Sequence, residues 1–308
     1  MANEVSQAGK AADLGLAAIL NRDIWEMIAD KQDLRHTVMY TSDPSGTGSA
    51  VVKIPQVTFD EVMSAPTEAG ALSNSTLGTS NATVTVARQA LRYDTTDLFQ
   101  FLAPNGGLDI GRLGAGIAMA YVRRVSALIM DAVDTATSVV GTSGAAMTVN
   151  DLYDAIFTLE QAEVPAGPYF SALASKQWTD LQSSIRGEGG ANQFQAATAA
   201  MLSIKGQGFR GSWLGIDFYT TAQVNNDGTD YSGGLWAMGA IAGTELKVGA
   251  LKQKIRLTPA LEVATDESAV FVEIDRTGST AVNEIVGNGY TGIAKNEDAR
   301  IVEIKTSM

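Results

Sequence analysis

The sequence predicts an α+β fold, on three observations. Strand-like runs, then helical periodicity, then a mostly β region follow one another along the chain, segregated instead of alternating as a doubly wound sheet requires. The 308 residues are 45% hydrophobic, enough to bury a sizeable core and to exclude disorder over most of the chain. There is no cysteine, so disulfides, thiolate zinc sites and a cysteine nucleophile are excluded and folding rests on the core and on any partner subunits.

The first fifty residues read as an arm more than a domain. One short helical candidate, 21–34, carries Ile24, Trp25 and Ile28 before Thr41-Ser-Asp-Pro-Ser-Gly-Thr-Gly opens a loop. Two β-rich segments follow, Val51-Val-Lys-Ile-Pro-Gln-Val57 and Thr83-Val-Thr-Val-Ala-Arg-Gln-Ala-Leu-Arg-Tyr93, separated by a polar tract over 58–82. That spacing predicts a long hairpin. Its strands are Thr-rich and thinly supplied with large apolar side chains, so the hairpin must lie on another surface.

From 109 to about 140, Ile110, Leu113, Ile117, Tyr121, Leu128, Ala132, Val133 and Ala136 recur at three- and four-residue spacings and predict the longest helix. Gly111, Gly114 and Gly116 each weaken its start by about 1 kcal/mol relative to alanine. Thr148 with Asp151 three residues on resembles a capping box, opening a helix with Val149, Leu152, Ile156 and Leu159 on one face. Val164-Pro165 stops it. A strand over 168–173 leads to a helix aligning Ala174, Trp178, Leu181 and Ile185, and Gly187-Glu-Gly-Gly190 opens a polar stretch. Beyond about Gly208 the clearest strands are 213–219, 269–274 and 300–304.

The net charge of −12 argues against a surface that holds DNA by neutralising phosphates. No apolar stretch reads as long enough to span a membrane and no secretion signal is evident, so the chain is expected to be soluble and unexported. Gly206-Gln-Gly-Phe-Arg-Gly211 and Gly287-Asn-Gly-Tyr-Thr-Gly292 match the dinucleotide pattern. Neither lies between a strand and a helix with an acid about 20 residues later, so both are read as loop glycines. His36 is the only histidine and is assigned a surface or packing role, since no serine stands in a nucleophile-elbow pattern. Asp94 and Asp97, like Asp131 and Asp134, are acids three apart on a solvated face. No residue is assigned a catalytic, cofactor-binding or metal-ligating role, and the chain is not expected to be an enzyme. Arg88 and Arg92 share one strand face, either to meet acids of a neighbouring subunit or to remain solvated.

Val52-Lys-Ile-Pro55, a polar tract with Glu68-Ala-Gly70, and Thr83-Val-Thr-Val-Ala-Arg88 resemble the extended loop of the major capsid proteins with the HK97 fold. The helix over 109–140 is similar to that family's spine helix. Val164-Pro165, Tyr169-Phe-Ser-Ala-Leu173 and Trp178-Thr-Asp-Leu181 resemble the start of its axial domain, and the run from Gly208 to Tyr219 a strand-turn-strand later in it. The resemblance is one of pattern and order over nearly the whole chain. It implies an N-terminal arm (1–49), an extended β-hairpin loop (50–95), a peripheral domain with the spine helix (96–147), an axial domain (148–264) and a C-terminal β-rich return to the peripheral domain (265–308). It further implies homo-oligomers, pentamers and hexamers of an icosahedral shell enclosing phage double-stranded DNA, assembled in the host bacterial cytoplasm, with portal and decoration proteins as partners. Some family members cross-link through a lysine in the extended loop, but 58–88 contains none, so no cross-link is expected there. The arm is too short for a long scaffolding segment, so a separate scaffolding protein, or none, is expected.

Three other readings remain open on sequence alone. An encapsulin-like nanocompartment shares the fold, a phage tail or fibre protein shares the Thr/Gly/Ala-rich β content, and a carboxylate hydrolase would need a deep pocket.

Overall fold

A computed structural model describes residues 34–41, 49–58, 78–96, 110–164, 167–187, 194–206, 208–249, 269–277 and 282–308. The helical candidate 21–34, save Leu34, the loop after Thr41 and the tip of the hairpin lie outside the described residues.

One helix organises two sheets. Helix α1 (Ile110–Asp134) is the longest, as its periodicity predicts. Its first half lies on a five-stranded sheet of β1 (Met39–Tyr40), β12 (Ile241–Glu245), β14 (Val282–Lys295), β13 (Val270–Thr277) and β4 (Ala87–Thr96). Its second half lies on an eight-stranded sheet built around β15 (Ile301–Ser307), β11 (Asp230–Ala237), β6 (Tyr169–Leu173), β9 (Ile216–Thr220) and β8 (Phe209–Trp213). Ile117, Tyr121, Val125, Ile129 and Val133 are all buried, at helical spacing along this seam.

The close approach depends on missing side chains. A Cβ on Gly287 would sit 2.6 Å from Cγ2 of Ile117, and one on Gly289 would sit 2.8 Å from the Tyr121 ring. At the other end, a Cβ on Gly234 of β11 would come within 2.3 Å of Val133. Glycine inside a strand marks a place where another element comes close.

The helix ends at Asp134, six residues before the expected end near 140. Residues 135–140 are rich in Thr and Val, which favour extended backbone. Ser138–Val140 accordingly form β5, paired in parallel with Val302–Ile304 of β15. Leu113–Asp134 is long and apolar enough, by length and composition, to cross a membrane, contrary to the expectation that no such stretch exists. Gly114, Gly116, Arg123 and Arg124 interrupt the apolar run in sequence. In the fold Ile117, Tyr121, Val125, Ile129 and Val133 are buried on the two sheets, whereas Met119 is exposed.

On the opposite face of the eight-stranded sheet lie α2 (Val149–Gln161) and α3 (Ser175–Gly187). The capping box at Thr148 and Asp151 forms as expected, with the Thr148 backbone N–H donating to the Asp151 carboxylate at 2.7 Å. Leu152, Ala155 and Leu159 of α2 pack with Trp178, Leu181 and Ile185 of α3 on Phe218, Leu235 and Val302. Fully buried Gln177 ties α3 to the sheet: its Oε1 accepts from the Ala174 N–H at 3.0 Å and its Nε2 donates to the Thr306 hydroxyl at 2.9 Å.

Two strand expectations need correction. The run 213–219 is not one strand, because Leu214 and Gly215 both take positive φ (54° and 75°) and form a tight turn between β8 and β9. The segment 83–93 is also divided: Thr83–Thr85 belong to the hairpin, whereas β4 pairs with β14 over ten residues.

Candidate assembly surface

The hairpin consists of β2 (Val51–Thr58) and β3 (Gly78–Thr85), in register from Val51↔Thr85 to Thr58↔Gly78. One face is anchored. Ile54 and Val84 are buried against Ala242, with Ala82 and Ala294 beside them. The Gln56 amide donates to the Asn296 carbonyl and accepts from Ser80 Oγ at 2.9 Å. The Val86 N–H closes the base onto the Ala50 carbonyl at 2.8 Å. The other face carries Val51, Lys53, Pro55, Asn81, Thr83 and Thr85, all exposed. Strand alternation thus places Ile54, Ala82 and Val84 on the body of the protein and presents outward a face of Thr, Asn and Lys with Val51 and Pro55 among them.

The base of the N-terminal segment is built into the core. Leu34 and Val38 are buried, and Met39–Tyr40 pair in parallel with Ala242–Gly243. Arg35 forms an ion pair with Glu245, which also accepts from the Tyr121 hydroxyl at 2.9 Å, and the Arg35 guanidinium lies 5.3 Å from the Tyr40 ring centre. Burial pushes the Glu245 carboxyl above its usual range, against the opposing pull of Arg35 and the Tyr121 hydrogen bond. Burial alone would lower Arg35, but Glu245 with Tyr40 and Tyr121 holds it above its ordinary value. This cluster joins the arm segment, α1 and β12.

His36 has the packing role expected of it. Its Nε2 lies 2.7 Å from the Tyr219 hydroxyl, and its ring meets Phe170 edge-on at 6.2 Å. Burial lowers its pKa, partly opposed by Asp217.

The two glycine patterns are not phosphate sites. Gly206–Gly211 connects α4 (Ala199–Lys205) to β8, a helix-to-strand order opposite to the one a pyrophosphate needs. Gly287–Gly292 lies inside β14 under α1, so these glycines belong to a strand and not to the loop expected for them. Arg88 and Arg92 find partners within the chain: Arg88 donates to Asn288 Oδ1 at 2.8 Å, and Arg92 pairs with Asp94 at 2.5 Å and Glu284 at 3.1 Å. Asp131 and Asp134 are exposed and share the Asn225 amide, at 3.0 and 3.4 Å. Asp97 lies outside the described residues. Among the described residues no group of three or more His, Asp or Glu is placed to hold a metal ion.

No known family profile matches the sequence, and no curated protein matches it. Solved structures do. A structure from Mycobacterium phage Che8 aligns with a TM-score of 0.61 at 15% identity, covering 89% of this chain and 91% of that one. The mature capsid of bacteriophage PhiM1 aligns with a TM-score of 0.59 at 8% identity, covering 89% and 86%. The holo-SrpI encapsulin complex from Synechococcus elongatus gives 0.59 at 13% identity, covering 88% and 85%. What is shared is the α+β, HK97-like fold, over 88–89% of this chain.

Proposed function

We propose that this chain, which has the HK97-like fold, is the major capsid subunit of a tailed bacteriophage and acts by assembly instead of catalysis. Copies would form the pentamers and hexamers of an icosahedral shell around double-stranded DNA, assembled in the host cytoplasm with portal and decoration proteins and with a separate scaffolding protein or none. The observation that carries this reading is the β2–β3 hairpin. It is fastened at its base by Ile54, Val84 and Gln56, yet the described residues of its outer face, from Val51 to Pro55 and Asn81 to Thr85, are exposed. Two strands alone are marginal in water, so an element of this kind is completed by a neighbour, head to tail, in a contact that closes into rings. The net charge of −12 suits a wall that must not adhere to packaged DNA.

On this reading the chain divides into an arm (1–49), extended loop (50–95), peripheral domain (96–147), axial domain (148–264) and C-terminal return (265–308). The ten pairs of β4 with β14 argue for a shorter loop than 50–95, ending near Val86, with Ala87–Thr96 joining the five-stranded sheet instead.

Replacing residues 59–77 by a two-residue Asn-Gly turn tests the role of the loop, because Thr58 and Gly78 already face each other in register. The shortened subunit should remain folded by circular dichroism and sediment as free subunits. Normal closed particles from that variant would refute the role. The encapsulin match, with the same TM-score as the PhiM1 capsid, supports a second reading as a nanocompartment shell. Isolated particles containing an enzyme and no DNA would favour it.

A further inference from the structure

Two apolar features on the eight-stranded sheet are exposed and uncovered by the described residues. The first is the outward stripe of α2. Its inner face, Leu152, Ala155 and Leu159, is fully buried, yet its opposite side presents Tyr153 and Phe157, one turn apart, at 47% and 57% exposure. The solvent face of a helix ordinarily takes polar residues. Tyr153 also leans on Trp213, with ring centres 6.4 Å apart, and exposed Leu214 follows Trp213 in the chain. The second is α4, whose seven residues, Ala-Ala-Met-Leu-Ser-Ile-Lys, include none that is buried. Its Ile204 is 83% exposed.

The two features lie on opposite faces of the sheet. Helix α2 packs in the cluster of Phe218, Leu235 and Val302, whereas Met201 and Leu202 of α4 pack against the cluster of Phe209, Tyr219 and Trp236. Neighbouring strand residues such as Phe218 and Tyr219, or Leu235 and Trp236, point to opposite sides. The stripes therefore cannot meet within one subunit. Nor does the α2 stripe suit pairing with its own copy. It is rimmed by exposed Asp154, Glu160 and Glu163, and a two-fold contact would set these acids against each other, whereas α4 carries no acid and its one charge, Lys205, is already balanced by Asp217 at 2.5 Å.

We infer that the Tyr153–Phe157 stripe of one subunit seats against α4 of the next copy. A contact between unlike patches on opposite faces is heterologous and repeats around a ring. This rests on the shell reading and adds to it which surfaces of the eight-stranded sheet meet.

Because the chain has no cysteine, Phe157→Cys and Ile204→Cys place unique thiols on the two stripes. Particles isolated from bacteria expressing the double variant are treated with a short bismaleimide and run on a denaturing gel. The contact predicts a ladder extending past the dimer up to a closed ring, and no covalent oligomer from either single variant. A dimer from Phe157→Cys alone would overturn it in favour of two-fold pairing, as would intact double-variant particles that yield no ladder. Phe157→Asp and Ile204→Asp give a second readout. Each should abolish particles while leaving the subunit folded by circular dichroism, and undiminished particle yield in both would also overturn the contact. A wild-type chain that yields no particles, either alone or with a scaffolding protein, would instead overturn the shell reading, and this contact with it.

Discussion

Arg35 and Glu245 illustrate how a single pair can fasten a terminal segment to a core. Their side chains are only 16% and 9% exposed, so removing the cation leaves a carboxyl in a poorly solvated place. Arg35→Ala should destabilise the unassembled subunit by about 3–5 kcal/mol, measured by urea denaturation at pH 7. A loss below about 1 kcal/mol would show that the pair behaves as a surface ion pair. His36 yields a prediction with a defined sign. Burial lowers its folded pKa beneath the ordinary value of about 6.5, so the unfolded chain binds the proton more readily. Its contribution to stability is therefore fully present above about pH 6.5 and is lost as pH falls from there towards the folded pKa. As the only histidine it gives one imidazole resonance, whose midpoint in the folded subunit should lie below about 6.5. Between pH 7 and pH 5 the wild type should lose more stability than His36→Gln. At this scale the sequence was partly informative. The absence of catalytic motifs left His36 a surface or packing residue, but its partner Tyr219 lies 183 positions away, and nothing local announces such a pair.

Elements with a clean period were legible and those shaped by a neighbour were not. The long helix, the capping box at Thr148 and the strand at Tyr169–Leu173 follow from spacing and side-chain chemistry. The longest strand, β14, was hidden because Gly287, Gly289 and Gly292 lower its local β propensity and imitate a loop. At Gly287 and Gly289 it is α1 that comes too close for a side chain, and at Gly292 it is the Thr85 carbonyl. The hairpin boundary was misplaced for a similar reason: the residues from Thr83 to Tyr93 form one β-like run in sequence, and only the pairing with β14 reveals the break at Val86. Helix α4 escaped notice because seven residues are too few to show a period. A double-mutant cycle tests the close approach. Gly287→Ala should cost about 1–3 kcal/mol by overpacking Ile117, and Ile117→Ala about 2–5 kcal/mol by leaving a cavity. The double variant should be more stable than the sum of the two losses implies, by about 0.5–3 kcal/mol, because the smaller residue makes room for the added methyl group. Strict additivity in urea denaturation would mean that the two sites do not share that space.

For the whole molecule, order along the chain carried more information than any motif. Arm, hairpin, long helix, helix-strand-helix and β-rich end resemble the HK97 fold, and the matched structures share that fold at 8–15% identity. Sequence identity that low leaves no motif for a profile to detect, whereas the packing of one helix across two sheets is retained. What the sequence could not reveal is which surfaces meet between copies, because apolar residues such as Phe157 and Ile204 look like core until the fold shows them exposed. The measurement closest to the central claim is electron microscopy of the particles made when this chain is expressed in bacteria, alone and together with a scaffolding protein. Closed icosahedral shells, or rings of five and six subunits, are the predicted result, whereas a subunit that stays monomeric under both conditions, or forms only tubes, would contradict the account.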